Sequence, residues 1–212
     1  LFPKEESIGD KRKKWFEEYT GQPEIIISYR KDSDDDNSRA VCGFTCEKGF
    51  ECFMDSLKYV AFDDNIRIIM GMAFQGNKAL KKAVFPKTMD YIGMNAFDGC
   101  ISLKSVELPQ GLGGVPASIF RDCKSLEYVY IPDDVEIIGA SAFEGCTSLK
   151  SIYLPPSVKY ICRNAFKSCI SLERIEGGVG IEQIELCAFL GCEKLTDFPF
   201  CSTIECIEPC AF

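Results

Sequence analysis

A phenylalanine recurs every 23 residues from residue 74 to the last residue of the chain. The positions are Phe74, Phe97, Phe120, Phe143, Phe166, Phe189 and Phe212. A leucine stands six residues after each of the first six: Leu80, Leu103, Leu126, Leu149, Leu172 and Leu195. A short unit of this kind cannot bury its own apolar side chains. Neighbouring units must therefore stack so that their apolar positions form one continuous core.

Each unit contains a stretch with the alternation of a β-strand. In SLKSIYLP, residues 148–155, Leu149, Ile152 and Leu154 are expected to point inward, and Ser151 and Tyr153 outward. Copies of this stretch would pair as a parallel sheet. A proline follows the strand in four units, at Pro86, Pro109, Pro132 and Pro155, and would end it. The period and the L-x-x-L-x-L unit predict a leucine-rich-repeat solenoid: an α/β-type repeat fold, mostly β, forming a right-handed superhelix with a concave parallel sheet.

The chain divides into a short N-terminal cap, residues 1–52, and the solenoid, residues 53–212, with about seven coils of which the last is incomplete. Residues 4–21 read as a helix, residues 24–29 as a strand and residues 31–38 as a solvated acidic loop. Trp15, Phe16 and Tyr19 would supply the apolar face that covers the first coil. At Phe212, which falls within a repeat, either the array continues or an irregular cap closes it.

Charge and composition exclude several classes of function. The net charge of −8 and the pI of about 4.8 argue against DNA or RNA as a partner. No apolar run is long enough to span a membrane. The chain has no histidine, which excludes Ser-His-Asp and Cys-His catalysis and histidine-ligated metals. It begins at Leu1 without a basic and apolar leader, so we expect it to be a fragment that lacks its targeting signal.

The repeat resembles a known family. The stretch AFEGCTSLKSIYLPPSVKYI, residues 142–161, is similar to the BspA-like leucine-rich repeats, a type first described in a treponemal surface protein. The resemblance covers residues 57–212, with departures at Ile119 and at Gly177-Gly178, where a local flaw or bend is expected. It implies a secreted or surface-anchored protein of a host-associated microbe, implicated in adhesion to matrix proteins, host cells or other bacteria. It supplies no shared ligand site.

Five of the 13 cysteines stand three residues after a repeat phenylalanine and would form an inward thiol column. We interpret the column as structural, each S–H bonding a backbone carbonyl at the turn. Asn77 occupies the same column, which supports a hydrogen-bonding role. The column comprises Cys100, Cys123, Cys146, Cys169 and Cys192.

Other cysteines leave pairing and metal binding open. A bridge within the cap, among Cys42, Cys46 and Cys52, is plausible in a secreted protein. Cys187 and Cys210 occupy equivalent positions on adjacent coils and are a candidate pair. A zinc site from Cys201, Cys206 and Cys210 is the alternative, but its spacing matches no standard knuckle. We therefore predict no metal site and no cofactor.

The acidic stretch DSDDDN, residues 32–37, resembles the start of a calcium loop. It fails at the sixth and twelfth positions, where Asn37 and Gly43 replace the required glycine and glutamate. We interpret it as a hydrated loop.

The outward strand positions are the candidate ligand-binding surface. Tyr128, Tyr130 and Tyr153 would lie side by side on the concave face, and tyrosine and arginine are favoured at binding hot spots. The alternative is that tyrosine simply suits exposed strand positions. The remaining candidates on this face are Lys82, Glu107, Arg174 and Glu176.

We therefore predict a non-catalytic scaffold, an adhesin-like module at the cell surface or secreted, which binds a protein or glycoprotein through its concave face. A structural spacer within a larger surface protein is the alternative. A glycosidase using Glu107 and Glu176 is disfavoured, because three coils separate them by roughly 14 Å, beyond the reach of paired catalytic carboxylates. Cytoplasmic residence stays open, since free thiols are stable in a reducing compartment.

Overall fold

The computed structural model describes residues 26–27, 40–41, 57–62, 64 and 66–212. Within them the chain forms short strands and turns and no helix. The expected helix over residues 4–21, the acidic loop and Cys42, Cys46 and Cys52 lie outside the described residues. The strands are β1 Ile26–Ile27, β2 Ala40–Val41, β3 Tyr59–Phe62, β4 Ile68–Ile69, β5 Lys82–Val84, β6 Tyr91–Ile92, β7 Ser105–Glu107, β8 Gly114–Val115, β9 Tyr128–Tyr130, β10 Ile137–Ile138, β11 Ser151–Leu154, β12 Tyr160–Ile161, β13 Arg174–Gly177, β14 Gln183–Ile184 and β15 Cys206–Ile207.

The odd-numbered strands from β1 to β13 form the predicted concave side of a parallel solenoid. β1, β3, β5, β7 and β9 pair in that order, β11 contacts β9, and β11 pairs with β13. Every pairing is parallel, with the register set by the repeat: Val106 faces Val129, and Ile152 faces Ile175. A proline follows within two residues of β5, β7, β9 and β11. The strand prediction is confirmed.

The return path of each coil also carries a strand, which the sequence did not reveal. β2, β4 and β6 form one parallel sheet, and β8, β10, β12, β14 and β15 form another. Each of these strands is two residues long, and in most of them only the second residue is buried. A two-residue segment is too short to show the alternation by which a strand is recognised in a sequence.

The repeat phenylalanines form a column of rings along the solenoid. Six of the seven are at most 1% exposed, and their neighbouring ring centroids lie 5.1 to 5.9 Å apart. The leucine, valine and isoleucine columns pack against them in one cluster. The degenerate first repeat also belongs to this cluster, since Leu57, Val60, Phe62, Ile66 and Ile69 are all buried. Stacking therefore supplies the continuous core that the period predicted.

The Gly177-Gly178 departure has a steric cause. Both residues have positive φ, 74° and 66°, which side-chain-bearing residues rarely adopt. A Cβ at Gly177 would lie 2.3 Å from the Leu154 carbonyl oxygen. Gly177 still pairs in register with Leu154 at the end of β13, but this backbone leaves no room for a side chain, so the Leu-Pro step of the other coils does not fit here.

A buried carboxylate ties three coils together. Gln75, Asp98 and Arg121 are equivalent positions, and Asp98 accepts hydrogen bonds from Arg121 at 3.0 and 2.6 Å and from Gln75 at 2.8 Å. Burial raises the pKa of Asp98. The hydrogen bonds from Arg121, Gln75 and Asn95 outweigh that effect, so the Asp98 pKa lies below its usual range.

Candidate functional site

Three tyrosines stand exposed on the concave face, the outward side of β3, β5, β7, β9, β11 and β13. Tyr128 and Tyr130 on β9 are 54% and 43% exposed, and Tyr153 on β11 is 48% exposed. The residue between the first two, Val129, is buried, so the alternation of β9 turns both rings to the same side. Tyr130 and Tyr153 are equivalent positions on adjacent coils. The structure therefore brings the three rings onto one part of the surface.

Acidic side chains flank the tyrosines at both ends of one row. Glu107 on β7 pairs in register with Tyr130, and Glu176 on β13 pairs with Tyr153. Both glutamates are exposed. The row Glu107, Tyr130, Tyr153, Glu176 thus crosses four successive strands, with aromatic surface at its centre and a carboxylate at each end.

The Arg174 side chain forms an ion pair within its own strand. Its Nε donates a 2.7 Å hydrogen bond to Glu176 Oε1, two residues along β13. The hydrogen bond from the guanidinium to the Glu176 carboxylate raises the pKa of Arg174. Because the two opposite charges are paired, a ligand meets an ion pair of zero net charge at this end of the tyrosine row.

A cavity of about 570 Å³ opens between β5, β7 and β9, and we call it the β5–β7 cavity. Lys82, Glu107 and Tyr130, three of the predicted site residues, line it. Burial lowers the pKa of Lys82, and the nearby Glu107 charge partly restores it. The rest of the lining was not predicted as part of a site: Ala83, Val84, Phe85, Pro86, Lys87, Ser105, Leu108, Pro109 and Gln110.

The geometry gives no support to paired-carboxylate catalysis. Two strands, β9 and β11, lie between Glu107 on β7 and Glu176 on β13. At about 4.8 Å for each strand, their separation exceeds the distance at which two carboxylates act on one glycosidic bond. Glu107 borders the β5–β7 cavity, whereas Glu176 is bound to Arg174.

The thiol column lies inside the solenoid. Each Sγ donates to the carbonyl oxygen of the phenylalanine 26 residues earlier, at 3.1 to 3.2 Å: Cys100 to Phe74, Cys123 to Phe97, Cys146 to Phe120, Cys169 to Phe143 and Cys192 to Phe166. Asn77 fills the same position in the preceding coil, and its Oδ1 accepts from the backbone N–H groups of Ala79 and Leu80. Burial raises the pKa of Cys100 to about 12.

The remaining described cysteines show no shared site. Cys162, Cys187, Cys201, Cys206 and Cys210 are unbridged. Cys187 and Cys210 both occupy a left-handed turn position, with φ of 58° and 56°, where the other coils have methionine, asparagine or serine. No group of three potential ligands in the described part of the chain is arranged to hold a metal ion, so Cys201, Cys206 and Cys210 do not converge.

A second apolar surface, which the sequence analysis missed, lies on the return side of the coils, where the sheet ending at β6 meets the sheet beginning at β8. Met70, Met72, Tyr91, Met94 and Ile137 are 42% to 61% exposed. A cavity of about 310 Å³ opens where Gly114 leaves no side chain between Tyr91 and Ile137. One return-path position holds a large apolar residue in three repeats, at Ile68, Tyr91 and Ile137, and a glycine, Gly114, in the repeat before Ile137. This single loss of a side chain was the signal in the sequence.

A comparison with known protein families identifies the same repeat. The family model described as "BspA type Leucine rich repeat region" matches residues 47–137 and 113–212, with six copies. A comparison with curated proteins finds no significant match.

Solved structures share the fold. A leucine-rich-repeat protein of T. pallidum has a TM-score of 0.67 and 29% identity, covering 71% of this chain and 72% of its own. A leucine-rich-repeat protein of Eubacterium ventriosum has a TM-score of 0.63 and 19% identity, covering 74% of this chain and 42% of its own. Within the described residues, no helix has the length and apolar character required to cross a bilayer.

Proposed function

Because the chain belongs to the BspA-type leucine-rich-repeat family, we propose that it is a non-catalytic adhesin-like module that binds a protein or glycoprotein through its concave face. The family commonly comprises protein-interaction or surface proteins and is typically non-enzymatic. The module acts at the cell surface or after secretion. The observation that carries the proposal is the grouping of Tyr128, Tyr130 and Tyr153 beside the β5–β7 cavity.

Physical chemistry favours this surface as the contact. Tyrosine buries a large apolar ring at low conformational cost and keeps a hydroxyl for hydrogen bonding, so it is enriched at interface hot spots. The three rings stand on strands and not on loops, which fixes their positions before a ligand arrives. Preorganised side chains lose little entropy on binding.

The test is a binding screen of the purified chain against matrix proteins, glycoproteins and host-cell surface extracts. For a ligand found in this way, the triple variant Tyr128→Ala/Tyr130→Ala/Tyr153→Ala is expected to bind about a hundredfold more weakly. The substitutions remove exposed rings, so circular dichroism should show an unchanged fold.

Tyr91→Ala is the matched control. Tyr91 is 49% exposed, which is close to the exposure of the three concave tyrosines, but it lies on β6 of the return path. Unchanged binding by this variant beside a large loss in the triple variant supports the concave site. Equal losses in both would contradict it, and absence of any ligand would favour the structural spacer.

A further inference from the structure

A column of lysines runs along one edge of the concave face over three successive coils. Lys58, Lys81 and Lys104 are exposed and precede β3, β5 and β7. The backbone N–H of Lys81 donates to the Lys58 carbonyl at 2.7 Å, and that of Lys104 to the Lys81 carbonyl at 3.1 Å. The three residues, which we call the lysine column, are therefore stacked directly over one another.

Such stacking is unfavourable without an anion nearby. Strands in a sheet lie about 4.8 Å apart, and like charges at that spacing repel one another. Neither Lys81 nor Lys104 takes part in an ion pair within the described part of the chain. Further along the same position the charge alternates, with Glu127, Lys150 and Glu173, so the unbroken run of lysines is confined to the first three coils.

The β5–β7 cavity lies immediately beside this column. Lys82 follows Lys81 in the chain and lines the cavity, as does Lys87. The apolar part of the lining consists of Ala83, Val84, Phe85, Pro86, Leu108 and Pro109. A ligand that only carried negative charge would leave this apolar lining unused, whereas a peptide presents both carboxylates and apolar side chains.

We propose that the first coils of the concave face bind an extended acidic peptide segment of the partner protein. Its carboxylates lie against Lys81 and Lys104, and one apolar side chain enters the β5–β7 cavity. Glu107, which lines the cavity near Lys82, repels carboxylates there, so the acidic side chains of the segment lie towards Lys81 and Lys104. The inference rests on the proposed use of the concave face and adds the chemistry of the partner.

The probe is a fluorescein-labelled peptide that alternates glutamate with phenylalanine, and its anisotropy is followed as the protein is added. Lys81→Gln and Lys104→Gln are each expected to weaken binding about fivefold. Raising the salt concentration should reduce this difference, because exposed charges are screened. A peptide with serine in place of phenylalanine should bind more weakly to every variant.

Lys150→Gln is the charge-matched control, since Lys150 occupies the same position of the repeat between Glu127 and Glu173. A change of less than about twofold in this variant supports the assignment. Equal loss at Lys81, Lys104 and Lys150 would show a general charge effect and overturn it, as would no binding of the peptide to the unmodified chain. A heparin fragment that binds while the peptide does not would overturn the peptide in favour of a sulfated glycan.

The tyrosine variant separates this inference from the proposed function. If a ligand from the screen loses affinity with the tyrosine variant and is unaffected by Lys81→Gln and Lys104→Gln, the concave site stands and the acidic partner is wrong. If neither set of substitutions affects a ligand that binds, both the concave binding site and the acidic partner are wrong.

Discussion

Phe143→Ala is expected to lower the free energy of unfolding by about 4 kcal/mol. Phe143 is fully buried at the centre of the ring column, with Phe120 at 5.8 Å on one side and Phe166 at 5.2 Å on the other. Removing the ring leaves a cavity that two coils border, and the stacked backbones limit how far they can collapse into it. Urea denaturation followed by circular dichroism measures the change.

Phe200→Ala is the control, because Phe200 is 68% exposed at the C-terminal end. It should cost less than about 1 kcal/mol. Stability in a stacked array depends on contacts between neighbours, so loss of Phe143 should also broaden the transition or divide it in two. A cost for Phe143→Ala no larger than that for Phe200→Ala would contradict the view that the ring column holds the coils together.

Stability is expected to fall steeply as the pH rises above about 8.5, the pKa of a cysteine in an unfolded chain. Burial raises the pKa of Cys100 to about 12, and it also raises those of Cys123 and Cys146. The hydrogen bond between Cys169 and Cys192 raises the pKa of Cys169 and lowers that of Cys192, so the two effects oppose one another. The folded state therefore keeps Cys100, Cys123 and Cys146 protonated while the unfolded chain releases their protons.

The direction of this pH dependence follows from proton linkage. The stabilisation is complete below about pH 8.5 and is lost progressively as the pH rises towards the folded pKa, about 12 for Cys100. Above the unfolded pKa, each of these three thiols contributes a slope of about 1.4 kcal/mol for each pH unit, so that together they contribute roughly 4 kcal/mol for each pH unit. Urea denaturation in reducing buffer between pH 7 and about pH 10 measures the slope.

The variant Cys100→Ser measures the contribution of one thiol to this pH dependence. Serine keeps a donor for the Phe74 carbonyl but does not ionise in this range, so the slope above pH 8.5 should fall by about 1.4 kcal/mol for each pH unit. Parallel curves for the variant and the unmodified chain would show that the Cys100 thiol is not protected by burial.

The sequence predicted the fold because the repeat fixes it. Because a phenylalanine recurs every 23 residues, equivalent units must stack, and stacking determines which side chains are buried and makes the paired strands parallel. Strand alternation also identified Tyr128, Tyr130 and Tyr153 as outward-facing, and all three are exposed. These properties depend on position within the repeat and need no knowledge of side-chain conformation.

Each feature that the sequence did not predict has its own physical reason. The β5–β7 cavity is formed by residues that approach only when two coils stack, among them Lys87 and Gln110. The Arg174–Glu176 pair depends on side-chain conformation, which alternation does not predict. The return strands contain two residues each, which is too few for a periodic signal.

Side-chain footprinting of a complex tests the central claim most directly. The chain, alone and bound to a ligand from the screen, is exposed briefly to hydroxyl radicals, and the oxidation of each tyrosine is measured by mass spectrometry. Binding through the concave face predicts protection of Tyr128, Tyr130 and Tyr153 with Tyr91 unchanged. Protection of Tyr91 with the three concave tyrosines still reactive would contradict the claim and move the binding surface to the return sheet.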